Sequence, residues 1–137
     1  MRIMAIDYGD AHTGIAISDP TGLLAGFTTV INSRRQEVVV EQVALIAKEH
    51  GAEELVLGHP VNMDGTLGPR SEKAKAMKVL LEEATSLPVV LWDERRTTID
   101  AHNILFNSGK NAKQRKKVVD AVAASLILEG YLTFKKS

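Results

Sequence analysis

The chain opens with Arg2-Ile3-Met4-Ala5-Ile6-Asp7-Tyr8-Gly9-Asp10-Ala11-His12-Thr13-Gly14-Ile15-Ala16-Ile17-Ser18. An apolar run ends in a carboxylate, a glycine-bearing reversal follows, and a second apolar run begins. Apolar runs this short, bounded by turn signals, are the pattern of buried strands. Asp7 therefore falls where a core strand surfaces. Glycines at 9 and 14 permit a tight reversal and leave room for a ligand to approach the backbone. Such a hairpin can present one carboxylate to a metal ion or a phosphate.

The same reading extends along the chain. Strands are expected at about 2–8, 13–18 and 24–31, with turns at Gly9 to His12 and at Asp19-Pro20-Thr21-Gly22. These three make an antiparallel meander. A helix is expected over about 34–50, with Ser33 and Gln36 as a capping box, Val39, Val43, Ile46 and Ala47 on one face, and Gly51 as its stop. Leu55-Val56-Leu57 is a short buried strand, followed by Gly58-His59-Pro60 and a loop over about 61–68. Pro69 opens a helix with Ala74, Met77, Leu81 and Ala84 on one face. Pro88 to Trp92 forms another strand, which runs into Asp93-Glu94-Arg95. A helix capped by Thr97 or Thr98 reaches about 107, a loop spans 107–111, and the last helix covers about 114–134. The order βββαβαβαα is that of an α/β protein with one mixed sheet, three antiparallel strands then two parallel ones, and helices on both faces. Sites in such sheets form beyond the carboxyl ends of the strands.

Composition excludes several classes. The 137 residues fit one domain spanning 1–137, and the 45% hydrophobic and 25% charged fractions are those of an ordinary globular protein. No stretch is apolar and long enough to span a bilayer, and no signal peptide is evident. There is no cysteine, so disulfides and thiolate metal sites are excluded, and a cytoplasmic location with no membrane partner is expected. Net charge is zero, but Lys110, Lys113, Arg115, Lys116 and Lys117 crowd one segment. Such a patch can steer a phosphate backbone; it is also what a solvated helix end looks like. His12, His50, His59 and His102 lack zinc-ligand spacing.

Three carboxylates stand out. Asp120 shares the apolar stripe of the last helix with Ala123, Ala124, Ile127, Leu128 and Tyr131. A carboxylate there is costly unless it pairs with a cation or binds a metal. Asp93 and Glu94 end an apolar strand, and alternation sends them to opposite faces, so at most one joins Asp7. Salt bridges to Arg95 or Arg96 are the simpler alternative, and periodicity does not choose between the two acids. Asp7, one of Asp93 and Glu94, and Asp120 would together hold Mg²⁺ or Mn²⁺, hard cations that prefer carboxylate oxygen. Two such ions roughly 3.5–4 Å apart can hydrolyse a phosphodiester.

Motifs across the chain resemble one family. They are Asp7-Tyr8-Gly9 with Gly14-Ile15-Ala16 and Ser18-Asp19; Gly58-His59-Pro60 with Asn62-Met63-Asp64-Gly65; Asp93-Glu94-Arg95 with Thr97-Thr98; and Asp120-Ala121 with Ala123-Ala124 and Leu128. Together, over about residues 2 to 132, they resemble the YqgF family, also called RuvX. Its members are described as Holliday-junction resolvases and as pre-16S ribosomal RNA nucleases. The resemblance implies a ribonuclease H-like fold and divalent-metal hydrolysis of nucleic acid in the bacterial cytoplasm. It implies Asp7, Glu94 and Asp120 as metal-binding and catalytic acids, favouring Glu94 over Asp93. Arg95 comes with that motif as a phosphate contact or a carboxylate-orienting group. His12, Lys113, Arg115 and Lys117 complete the expected substrate contacts.

Two departures qualify the resemblance. His12 stands where the family usually has arginine, so a permanent charge gives way to one that depends on pH. The better-characterised junction resolvases of this fold carry an acid near the end of the fourth strand, where this chain has Gly58-His59. Three function classes follow. The first is an endonuclease acting on structured RNA, as in processing the 5′ end of the small-subunit ribosomal precursor, or on branched DNA. The second is a non-catalytic nucleic-acid or ribosome-assembly binding protein. The third is an actin-like or sugar-kinase-like ATP-binding protein, for which a similar hairpin serves as a phosphate loop but which needs two domains. A monomer and a homodimer are both compatible with the sequence, since only paired cuts require two copies.

Overall fold

A computed structural model of the chain describes residues 1–19, 25–59, 68–93 and 112–136, with the backbone alone at 25, 112–120 and 136. Its strands are β1 (Ile3–Asp7), β2 (His12–Ser18), β3 (Ala25–Asn32), β4 (Glu54–His59) and β5 (Val89–Asp93). Its helices are α1 (Gln36–His50), α2 (Pro69–Thr85) and α3 (Ala112–Lys136). The described strands form one sheet in the order β3-β2-β1-β4-β5. β1 pairs antiparallel with β2, and β2 with β3, while β4 runs parallel to both β1 and β5. The expected mixed sheet is the one observed. The helix expected up to about 107 and the loops at 20–24 and 61–67 lie outside the described residues.

Strand alternation divides the core in two. Met4, Ile6, Ile15, Ile17, Leu55 and Leu57 point to one side, where Val39 and Val43 of α1 and Ala74, Met77 and Leu81 of α2 cover them. Ile3, Ala5, Ala16, Val56 and Trp92 point to the other side, against Ala124, Ile127, Leu128, Tyr131 and Leu132 of α3. Each wholly buried Ile or Leu contributes roughly 1.5–3 kcal/mol, so neither layer is dispensable. The hairpin between β1 and β2 is tight enough that a Cβ on Gly9 would lie 2.4 Å from the His12 carbonyl oxygen. Only glycine fits there.

Local details correct some expectations. α1 begins at Gln36 with Arg35 as its N-cap and no side-chain cap bond. Ser33 lies too far upstream to form the expected capping box; its hydroxyl instead accepts from the Arg35 N–H at 3.1 Å. Gly51 does stop the helix, at φ 66°, and Pro69 does open α2. Ala84 is exposed, and the buried stripe of α2 is completed upstream by Ser71. β4 extends to His59, beyond the expected strand, because the parallel pairing with β5 continues to Asp93.

The lower end of the sheet, where β1 and β4 begin, is sealed on the α3 side. The Tyr131 hydroxyl donates to Glu54 Oε1, and Lys135 Nζ lies 3.4 Å from Glu54 Oε2. Burial of the phenol, reinforced by its bond to the Glu54 carboxylate and the charge there, pushes the Tyr131 pKa up to about 12. The Tyr131 and Trp92 rings meet edge-on, with centroids 5.8 Å apart. The Ile3 N–H donates to the buried Ser18 hydroxyl at 2.9 Å.

Candidate active site

The upper end of the sheet is built differently. Asp7 is the last residue of β1, the central strand of the sheet. It shares the alternation of Ile3 and Ala5, which places it on the α3 side. Its partner on β2 is Gly14. On the other flank, the β1–β4 pairing reaches Ile6 and Leu57, and the next β4 residue is the buried Gly58. Neither neighbour of Asp7 on this face carries a side chain. The half-buried carboxylate thus stands between two glycines in the sheet. Sequence reasoning found Gly14 as a turn residue; its register opposite Asp7 appears only when the strands are paired.

His12 lies on the same face as Asp7, two residues from Gly14 along β2. Its Nδ1 is 2.6 Å from Asn32 Oδ1, across the β2–β3 pairing. With Oδ1 as acceptor, His12 carries a proton on Nδ1 and keeps Nε2 for a further contact. Asn32 was not among the expected site residues, and no pattern in the sequence marks it.

Asp93 belongs to the opposite side. It shares the alternation of Val89 and Leu91, whose side chains join the core under α1 and α2, whereas Val90 and Trp92 face α3. It is also the register partner of His59, whose Nε2 is hydrogen-bonded to the buried Ser71 hydroxyl of α2 at 2.6 Å. Asp93 therefore does not share a face with Asp7. Glu94 and Arg95 lie outside the described residues, as does Lys110. Residues 113, 115, 117 and 120 lie in the helical backbone of α3, ahead of Ala123 and Ala124, which pack on the sheet. Among the described residues, no cluster of three His, Cys, Asp or Glu side chains is gathered to hold a metal ion. The Asp7 carboxylate is the kind of hard oxygen donor that suits a divalent cation.

The family model of RuvX, described as Holliday junction resolvase, matches residues 1–134. The chain belongs to the RuvX family. A relative from Halothermothrix orenii, named "Putative pre-16S rRNA nuclease", is 42% identical over 135 residues, covering 98% of this chain and 96% of that protein. A Geobacillus kaustophilus protein of the same name is 41% identical over 138 residues, covering 99% and 100%. Among solved structures, Thermus thermophilus RuvC in complex with a Holliday junction substrate superposes with a TM-score of 0.65 at 15% identity, covering 100% of this chain and 98% of that one. This RuvX protein shares the fold of that enzyme. A ROK hexokinase from the same organism superposes with a TM-score of 0.53 at 23% identity, over 75% of this chain but 38% of the kinase. Among the described residues, no helix is long and apolar enough to cross a membrane.

Proposed function

We propose that this RuvX protein is a divalent-metal-dependent endonuclease, and that its substrate is the precursor of small-subunit ribosomal RNA, cut at the 5′ end. The observation that carries the proposal is Asp7: a half-buried carboxylate at the end of the central strand, flanked by glycines and directed to the α3 side. The names of full-length relatives at about 40% identity support the choice of RNA. The likeness to a sugar kinase covers a minor part of that enzyme and does not support an ATP-binding reading.

The likeness of Asp93-Glu94-Arg95 and Asp120-Ala121 to the family's motifs supports Glu94 and Asp120 as partners of Asp7. Asp93 faces away from Asp7, which leaves Glu94 as the acid of that pair to join it. Position 120 lies one turn ahead of Ala123 and Ala124, which pack on the sheet face that Asp7 shares.

In this reading Asp7, Glu94 and Asp120 would hold a divalent cation, Mg²⁺ or Mn²⁺, which would supply Lewis-acid charge to the phosphodiester. The chain does the rest. The glycines admit the phosphodiester beside Asp7. Lys113, Arg115 and Lys117 at the start of α3, with Arg95 and His12, hold the flanking phosphates and offset the charge that develops on the leaving oxygen. The test is incubation of the purified protein with Mg²⁺ or Mn²⁺ and a precursor ribosomal RNA, and separately with a four-way DNA junction. The wild type is expected to cut the RNA, and Asp7→Asn and Asp120→Asn to lose cleavage. Cleavage that persists in both variants refutes the site; binding of RNA without cleavage by the wild type makes the protein a binding module.

A further inference from the structure

The rim of the sheet carries a second feature, on the side away from α3. Arg70 and Lys73 stand close together at the start of α2. With Tyr8, Asp10, Gly58 and Ala74 they line a small notch of about 10 Å³. Tyr8 follows Asp7 in the chain, and Gly58 is the β4 residue beside Asp7, so the notch adjoins the carboxylate across the rim. Its size suits the oxygen of a surface-bound phosphate and not an enclosed ligand.

The charges in the notch are held loosely. Lys73 Nζ lies 3.4 Å from Asp10 Oδ1, with the two side chains 61% and 78% exposed. An ion pair this open stabilises little, because water and salt screen it. Arg70 is exposed and has no ion-pair partner among the described residues. Two cations against one acid leave the notch net positive, on a rim where the proposed substrate is a polyanion.

Resting on the nuclease reading above, we propose that Arg70 and Lys73 form a second contact for the nucleic-acid backbone, and that Asp10 holds Lys73 until a phosphate displaces it. A strand crossing the rim passes from Asp7 to this notch. Phosphate contacts fix register and carry no base information, so the contact positions the strand on the side opposite the basic start of α3. The exchange is balanced in charge: Lys73 leaves one anion for another, and the nucleic acid releases a counterion.

Binding of a labelled hairpin RNA from the 16S precursor, and of a labelled four-way DNA junction, tests this with the full chain in EDTA across a salt series. Lys73→Ala is expected to weaken binding about three- to tenfold and to lower the slope of log K against log salt by about 0.7–0.9. Lys73→Arg is expected to keep the slope. Asp10→Asn is expected to tighten binding about two- to fivefold, because the competing carboxylate is gone. Both positions are exposed, so the fold should survive, which circular dichroism checks. Intact wild-type binding with an unchanged slope in Lys73→Ala overturns the second contact and leaves the nuclease reading standing. Weaker binding by Asp10→Asn overturns the displacement. A wild type that binds neither probe overturns the nuclease reading and this inference with it.

Discussion

The two ends of the α3 face share one sheet and one helix, yet they treat polar groups in opposite ways. At the lower end polar groups pair with one another: Tyr131 with Glu54, Lys135 with Glu54, and the Ile3 N–H with Ser18. The Tyr131 and Phe134 rings stack on each other, and both meet the edge of Trp92, which stands on β5 opposite Gly58. At the upper end Asp7 sits between Gly14 and Gly58, with no side chain on either neighbouring strand directly beside it.

Exchanging a side chain at each end should break that contrast in opposite directions. Asp7→Asn should lower cleavage by at least about a hundredfold, since it removes charge worth several kcal/mol to the transition state. The same change should leave the melting temperature unchanged or raised, because a half-buried carboxylate is relieved; a nuclease assay and a thermal melt on one preparation read both. A large loss of stability would place Asp7 among the structural residues instead. Gly9→Ala should destabilise the upper hairpin by about 1–3 kcal/mol, because its Cβ would strike the His12 carbonyl; a urea titration measures it.

Tyr131→Phe at the lower end should cost about 1–2 kcal/mol and leave cleavage intact. Its pH dependence gives a second readout. A phenol whose folded pKa is raised from 10.0 to about 12 contributes stability that is fully present below pH 10 and is lost as pH rises through 12. The wild type should therefore lose stability across that window, and Tyr131→Phe should lose less. Equal alkaline losses in the two proteins would remove Tyr131 from the account. The smallest effect is expected from His12→Arg. It replaces an imidazole anchored on Asn32 with a permanent charge, and it should tighten RNA binding about threefold and steepen the salt slope by nearly one unit. An unchanged slope would show that no phosphate lies near His12.

Much of the frame was legible because it rests on local signals. The apolar runs around Gly9 specified the hairpin, Gly51 ended α1, and Pro69 began α2. The stripe from Ala123 to Tyr131 specified the face that α3 buries. Where a local signal misled, a competing local bond explains it: the Ser33 hydroxyl turned to the Arg35 N–H and capped nothing. Asn32 left no trace, because a single asparagine at a strand end means little until its cross-strand neighbour is known.

By itself, then, the sequence specified the described elements and their order, and it marked acidic positions where chemistry would be expected. What it left open was which side each one faces. Alternation along a strand says that Asp93 and Glu94 point apart, but not which of them points with Asp7. For Asp93 the answer came only when α1 and α2 covered Val89 and Leu91 while α3 covered Val90 and Trp92, which puts Asp93 on the side away from Asp7. The physical reason is that a strand's pattern fixes only relative orientation. The choice of side is made by the helices that pack on the sheet, and the clearing around Asp7 by the register that sets Gly14 and Gly58 beside it.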